Sequence, residues 1–154
     1  MKVFISYGSV GDQVTAFRLQ ALGAVNGLQV YVPPAHSRRG PADSIDIQSE
    51  PRLRETDFVL GLVGTGLLPV CWRELNLGRQ LNKSVFVMAE SSLAKELSKH
   101  FPGRVGVIDP SNPTDAEMQI IGYLKTIEAQ GDSKKAILAL AIIGIGLLML
   151  APQD

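Results

Sequence analysis

FVLGLVGTGLLPVCWRELNLGRQLNKSVFVMA, residues 58–89, decides the fold. Phe58–Val63 and Ser84–Ala89 are short runs rich in β-branched and aromatic residues, a composition suited to strands buried on both faces. Between them, Trp72, Leu75 and Leu81 support a helix, so the segment reads as strand, helix, strand: the repeating unit of a parallel sheet covered by helices. The same alternation extends outward, with further strands predicted at Lys2–Ser6, Leu28–Val32 and Arg104–Ile108. After the first strand, Val14, Phe17, Ala21, Leu22 and Val25 follow helical spacing and predict one buried face, with Asn26-Gly27 as the stop signal. Leu93 and Leu97 support a helix after the fourth strand. The last helix is expected to open on a capping box, Thr114-Asp115-Ala116-Glu117, and to run to Ala129. Pro33-Pro34 and Ser37–Pro41 predict a long, exposed loop between the second and third strands. No internal repeat is present. The expected class is α/β: a flavodoxin-like five-stranded parallel sheet flanked by helices over residues 1–129, followed by a C-terminal apolar helix.

Composition narrows the function. The 154 residues, 45% of them hydrophobic, suffice for one domain with a real core. Fifteen basic and fifteen acidic side chains cancel, so no global field draws the chain to nucleic acid. Cys71 is the single cysteine; it has no disulfide partner within the chain, and without a CxxC or Cys/His cluster no metal site is expected. A reducing compartment fits. The opening MKVFISYG has neither the apolar core nor the cleavage site of a secretory signal.

Past Ala129 the character of the sequence changes. Residues 130–135 read as a linker ending in Lys134-Lys135, and 136–151 carry no charge and no polar side chain. As a helix this run spans about 24 Å, short of a hydrocarbon core of about 30 Å, a gap that snorkelling lysines or local thinning can close. The expectation is a transmembrane anchor, with the lysine pair keeping the domain in the cytoplasm; a helix packed on protein is the alternative. Gly144 and Gly146 are two apart and do not form a GxxxG seam.

Four short patterns then occur in order: Val3-Phe4-Ile5-Ser6-Tyr7; Val30-Tyr31-Val32; Thr56-Asp57 leading into Phe58-Val59-Leu60; and Leu67-Leu68-Pro69-Val70-Cys71-Trp72-Arg73-Glu74-Leu75. Over residues 1–128 the chain resembles the TIR (Toll/interleukin-1 receptor) family. The first pattern is similar to its first-strand box, the second to the strand before its BB loop, the third to its Ser-Asp dipeptide, and the last to its Trp-Cys-x-x-Glu-Leu segment. Val70 stands at the usual Trp position, and Trp72 lies two residues later. The resemblance implies an NAD+ hydrolase that breaks the nicotinamide–ribose bond, with Glu74 as the catalytic carboxylate and NAD+ as substrate rather than cofactor. It also implies self-association through TIR surfaces and a role as an immune effector.

The residues support a site at the same place. In a sheet of order 2-1-3-4-5 the switch point lies between strands one and three, and ligands bind beyond their carboxyl ends. Those ends carry Ser6, Tyr7, Gly8 and Ser9 on one side and Gly64 on the other, and glycine lets backbone N–H groups approach phosphate closely. In the NAD+ hydrolase reading that the resemblance implies, Tyr7 or Trp72 is expected to stack on a ring of the dinucleotide, and Arg38 or Arg39 to meet phosphate or a neighbouring subunit. His36 and His100 have no acid or nucleophile at motif spacing, and Cys71 is expected to pack as a small apolar group. Bland readings stand beside these: a Glu near a helix start, a packing Trp, a solvated arginine loop. Two other functions compete, a non-catalytic TIR–TIR interaction module and a nucleoside or deoxyribosyl transferase of related fold.

Overall fold

The computed structural model describes residues 1–39, 44–109 and 111–131. The chain runs β1 (Lys2–Tyr7), α1 (Gln13–Val25), β2 (Gln29–Tyr31), α2 (Ser49–Glu55), β3 (Phe58–Val63), α3 (Pro69–Gln80), β4 (Ser84–Ala89), α4 (Ser91–His100), β5 (Val105–Val107) and α5 (Pro113–Gln130). The strands form one parallel sheet in the order β2-β1-β3-β4-β5. β3 and β4 keep the bounds expected from sequence; β1 is one residue longer, while β2 and β5 are shorter at both ends.

Helices cover both faces, which is why the central strands read as unbroken apolar runs. Alternation divides their side chains between two cores. Val3, Ile5, Tyr7, Phe58, Leu60 and Leu62 point toward α1 and α5, where Leu19, Ile120, Leu124 and Ile127 meet them. Phe4, Val59, Val63, Val85 and Val87 point the other way, toward Leu53 of α2, Cys71 and Leu75 of α3, and Leu97 of α4. Gly61 faces α3, where a Cβ would lie 3.0 Å from the Leu75 side chain, so the absent side chain sets how closely that helix approaches.

Three expectations are corrected. On α1 the buried residues are Ala16, Leu19 and Gly23, while Val14, Phe17 and Val25 are 68%, 37% and 85% exposed. Of the residues expected inside, Leu22 does pack against the core; the helix is apolar on two sides, and periodicity gave most of the expected face to the outer one. Small residues line the true inner face because α1 lies close to β2: a Cβ on Gly23 would come within 2.5 Å of Val30 Cγ2. Second, the capping box does not form. Asn112 is the N-cap and Pro113 begins α5, a position where its missing N–H costs nothing; Glu117 is buried instead and meets Arg18 Nε at 3.2 Å. Third, α2 interrupts the expected loop. Pro51 sits in its first turn, where proline is tolerated, and Leu53 anchors it in the core. No helix among the described residues is long and apolar enough to cross a membrane; residues 136–151, expected as the anchor, lie outside them.

Candidate active site

At the carboxyl ends of β1 and β3, backbone hydrogen bonds join the loops that follow the two strands. The Gly8 N–H donates to the Leu62 carbonyl at 2.8 Å, and the Leu68 N–H donates to the Gly8 carbonyl at 2.7 Å, which fixes the start of α3 against the end of β1. Pro69 at the first turn of α3 and extended Leu68 before it set the helix start. The two glycine-bearing loops touch. A Cβ on Gly8 would lie 2.0 Å from the Gly66 carbonyl oxygen, so only glycine fits. Asp12 is buried between the loops: its Oδ2 accepts from the Thr65 N–H and the Ser9 hydroxyl, both at 3.3 Å. Ser9 and Thr65 hydroxyls stand 2.6 Å apart across the cleft. Burial raises the Asp12 pKa above the ordinary carboxylate value despite these donors.

Glu74 lies on the second turn of α3, facing the end of β1, with its side chain fully buried. Its Oε1 accepts from Ser6 Oγ at 2.8 Å and from Arg38 Nη2 at 2.5 Å; its Oε2 accepts from Arg38 Nη1 at 3.1 Å. This is the bidentate fork that a guanidinium offers a carboxylate. Arg38 is held in turn: Nε donates to the Tyr7 carbonyl at 3.0 Å, Nη1 to Ser37 Oγ at 2.9 Å, and the guanidinium lies 4.1 Å from the Tyr7 ring centre. Burial raises the Glu74 pKa above its usual range, with the hydrogen bonds and charge of Arg38 and then Ser6 opposing the rise. Burial works against the Arg38 cation as well, but its hydrogen bonds to Glu74 and that carboxylate's charge outweigh it, so the Arg38 pKa is raised and the guanidinium stays charged.

The sequence-derived site residues fall into two groups, with Arg39 and Trp72 in neither. Ser6, Tyr7, Arg38 and Glu74 form one connected cluster, and Gly8, Ser9 and Gly64 form the adjoining loop contact. The exposed arginine loop is corrected at Arg38, which sits on a 3-10 turn, Ala35–Arg38, and is buried; Arg39 remains exposed. The turn is anchored by the Tyr7 hydroxyl, which donates to the Pro33 carbonyl at 3.0 Å. Tyr7 has no free face to stack on a ligand, while Trp72 is half-buried. Tyr7 is enclosed beneath Arg38, and Trp72 packs edge-on against His100 and Phe101, with ring centres 4.8 and 5.8 Å apart.

Comparison with known proteins finds no matching family model and no matching curated protein. The site therefore rests on its own geometry.

Cys71 is inert. Its thiol is buried beside Ser6 Oγ, 3.2 Å away, and burial, aided by the charge of Glu74, pushes its pKa up to about 12. Among the described residues no group of three or more His, Cys, Asp or Glu is placed to hold a metal ion. Sequence reasoning missed Asp12, the acid that joins the two loops. Its position four residues after Gly8, opposite Gly64-Thr65, was the available signal.

Proposed function

We propose that the chain is a TIR-type NAD+ hydrolase with Glu74 as its catalytic carboxylate, held at a membrane by residues 136–151 with the domain in the cytoplasm. One observation carries the reading. The Glu of the family-like segment is a fully buried carboxylate facing the end of β1, at the sheet's switch point, already paired with a planar cation. A carboxylate held in low dielectric stabilises positive charge far better than one in water. During NAD+ cleavage the bond between the ribose anomeric carbon and the pyridinium nitrogen breaks with its electron pair going to nitrogen. Nicotinamide leaves neutral, so no general acid is required, and the ribose becomes oxocarbenium-like. Water then adds to that carbon and loses a proton, giving ADP-ribose; attack by a nitrogen of the adenine gives a cyclic product instead. In this reading Arg38 occupies the place of the substrate cation, and the described form is closed. Catalysis then requires the 33–39 turn to withdraw, with neighbouring copies of the domain completing the open crevice, as in an immune effector activated by assembly.

The same seal favours a second reading, a non-catalytic TIR–TIR module in which Glu74 and Arg38 serve only to fix the turn. NAD+ consumption by the full chain, measured on liposomes at high surface density, separates the two. Glu74→Gln is expected to abolish consumption. Because that change strands Arg38, the paired variant Arg38→Leu with Glu74→Leu, folded by circular dichroism, is tested beside it and is also expected to be inactive. A folded double variant that consumes NAD+ as the unaltered chain does would remove Glu74 from the chemistry; no consumption by the unaltered chain at any density would favour the interaction module.

A further inference from the structure

The outer side of α1 is unlike that of the other surface helices. Val14, Phe17, Ala21 and Val25 form one exposed ridge, and Val10 continues it toward the crevice. Arg18 is the one charged residue of the helix, and its guanidinium turns aside to Glu117 at 3.2 Å. By contrast α4 presents Ser92, Lys95, Glu96 and Lys99 to solvent. A helix apolar on both sides is normally covered on both. The sheet covers the inner side of α1; Phe17 leans partly on Tyr7, their ring centres 6.5 Å apart, and Val14 and Val25 stand 68% and 85% exposed.

The course of the chain indicates an occupant. Arg18 meets Glu117, and eight residues further along each helix the Asn26 carbonyl accepts from Lys125 Nζ at 2.9 Å, so α1 and α5 run parallel in register. α5 continues five residues past Lys125 to Gln130, about 7 Å beyond the end of α1, where Gly131 at φ 69° ends it. Residues 131–135 reach up to about 17 Å when extended, enough to offset that overshoot and turn back. The apolar run 136–151 is about 24 Å long as a helix, and the ridge from Val10 to Val25 is about 22 Å. Both are free of unpaired charge, and they match in length.

We propose that the outer ridge of α1 is the docking site of the chain's own apolar segment, residues 136–151, laid antiparallel along it when no bilayer is present. The tail then has two seats, α1 in water and lipid at a membrane. Docking does not require Glu74 to be catalytic; it bears on the tether alone.

Cysteine pairs in the full chain test this, since the native Cys71 is buried and unreactive. Antiparallel seating brings Val25→Cys beside Leu138→Cys and Val14→Cys beside Met149→Cys. In dilute aqueous solution under mild oxidation, both pairs are expected to form disulfides within one chain, independent of concentration, because tethering places the partners at an effective concentration of roughly mM, about a thousandfold above μM protein. The swapped pairs, Val25→Cys with Met149→Cys and Val14→Cys with Leu138→Cys, are expected to stay reduced. Disulfide dimers that rise with concentration would mean that a second copy covers the ridge. Equal yields from all four pairs, or none from a folded chain, would mean the ridge holds no tail; each result overturns the proposal. Adding phosphatidylcholine–phosphatidylglycerol vesicles is a separate arm. Loss of the intrachain disulfides there supports the membrane tether, while their retention keeps the docking and removes the tether.

Discussion

Replacing Arg38 by leucine deletes the cation that satisfies both oxygens of a fully buried carboxylate and leaves Glu74 with Ser6 alone. The converse change, Glu74→Gln, strands a guanidinium whose remaining partners are the Tyr7 carbonyl, the Ser37 hydroxyl and the Tyr7 ring. Breaking a buried pair from either side costs about 3–5 kcal/mol because one charge is left uncompensated. Against a total stability of about 5–15 kcal/mol, either single variant should lower the thermal midpoint by roughly 10–20 °C. Removing both charges is different. Arg38→Leu with Glu74→Leu exchanges two desolvated ions for apolar groups, and such swaps are often neutral or stabilising, so the double variant should melt near the unaltered chain rather than lose the about 6–10 kcal/mol of two independent defects. Urea unfolding followed by circular dichroism supplies the four corners of the cycle. Single variants that each lose less than about 1 kcal/mol, as exposed ion pairs do, or a double variant that loses the sum, would refute the picture of a sealed, mutually dependent pair. For the same reason Glu74→Gln is not a silent probe of activity.

Three further outcomes can be checked. Burial raises the Asp12 pKa above its unfolded value, so the folded state holds the proton more tightly: its contribution is full below the unfolded pKa and is lost as pH rises through the folded one. The stability gap between the unaltered chain and Asp12→Asn, read from urea midpoints, should therefore shrink as pH climbs from 3 toward 7, and a widening gap would contradict it. Burial both hides the Cys71 thiol and pushes its pKa up to about 12, so Ellman's reagent should react at least about a hundredfold more slowly with native than with unfolded protein; equal rates would place the thiol at the surface. Gly8→Ala drives a Cβ to within 2.0 Å of a backbone oxygen on the facing loop and should cost about 1–3 kcal/mol or more, and an unchanged melting midpoint would show that the loops part freely.

What the sequence revealed follows from how each signal arises. Unbroken apolar runs mark strands covered on both faces, so β3 and β4 were legible to the residue. β2 and β5, which pair on one side only, were legible in place but not in extent. The inner face of α1 was hidden because close packing selects small residues such as Ala16 and Gly23, which carry little hydrophobic signal, while the prominent valines lie outside. In the site, Glu74 stood out by its segment, and the glycines stood out by type. That Arg38 reaches Glu74 was not legible: 36 residues separate them, and a proline-rich stretch with two arginines reads as solvated until its turn is seen anchored by Tyr7.

The same pairing sets the terms on which the proposed substrate must enter. Displacing Arg38 exposes a carboxylate that needs a cation, and the nicotinamide riboside end of NAD+ brings one, so substrate can replace part of what opening removes. It does not replace all of it. The pyridinium has no N–H fork to match the two hydrogen bonds that Arg38 donates to Glu74, and the Tyr7 carbonyl loses its donor as well. If opening unaided leaves about 1% of chains competent, the apparent affinity for NAD+ falls about a hundredfold, and a lone domain is almost silent at ordinary substrate levels. A neighbouring copy that binds the withdrawn turn restores the difference only in proportion to its preference for the open form. Arg39, exposed beside the buried Arg38, is a charged side chain of the turn that can be changed without disturbing the core. Arg39→Glu should therefore leave the monomer's melting midpoint unchanged while flattening the rise of NAD+ consumption with liposome surface density. A density profile identical to that of the unaltered chain would mean that the turn opens by itself and that assembly, if it occurs, acts elsewhere.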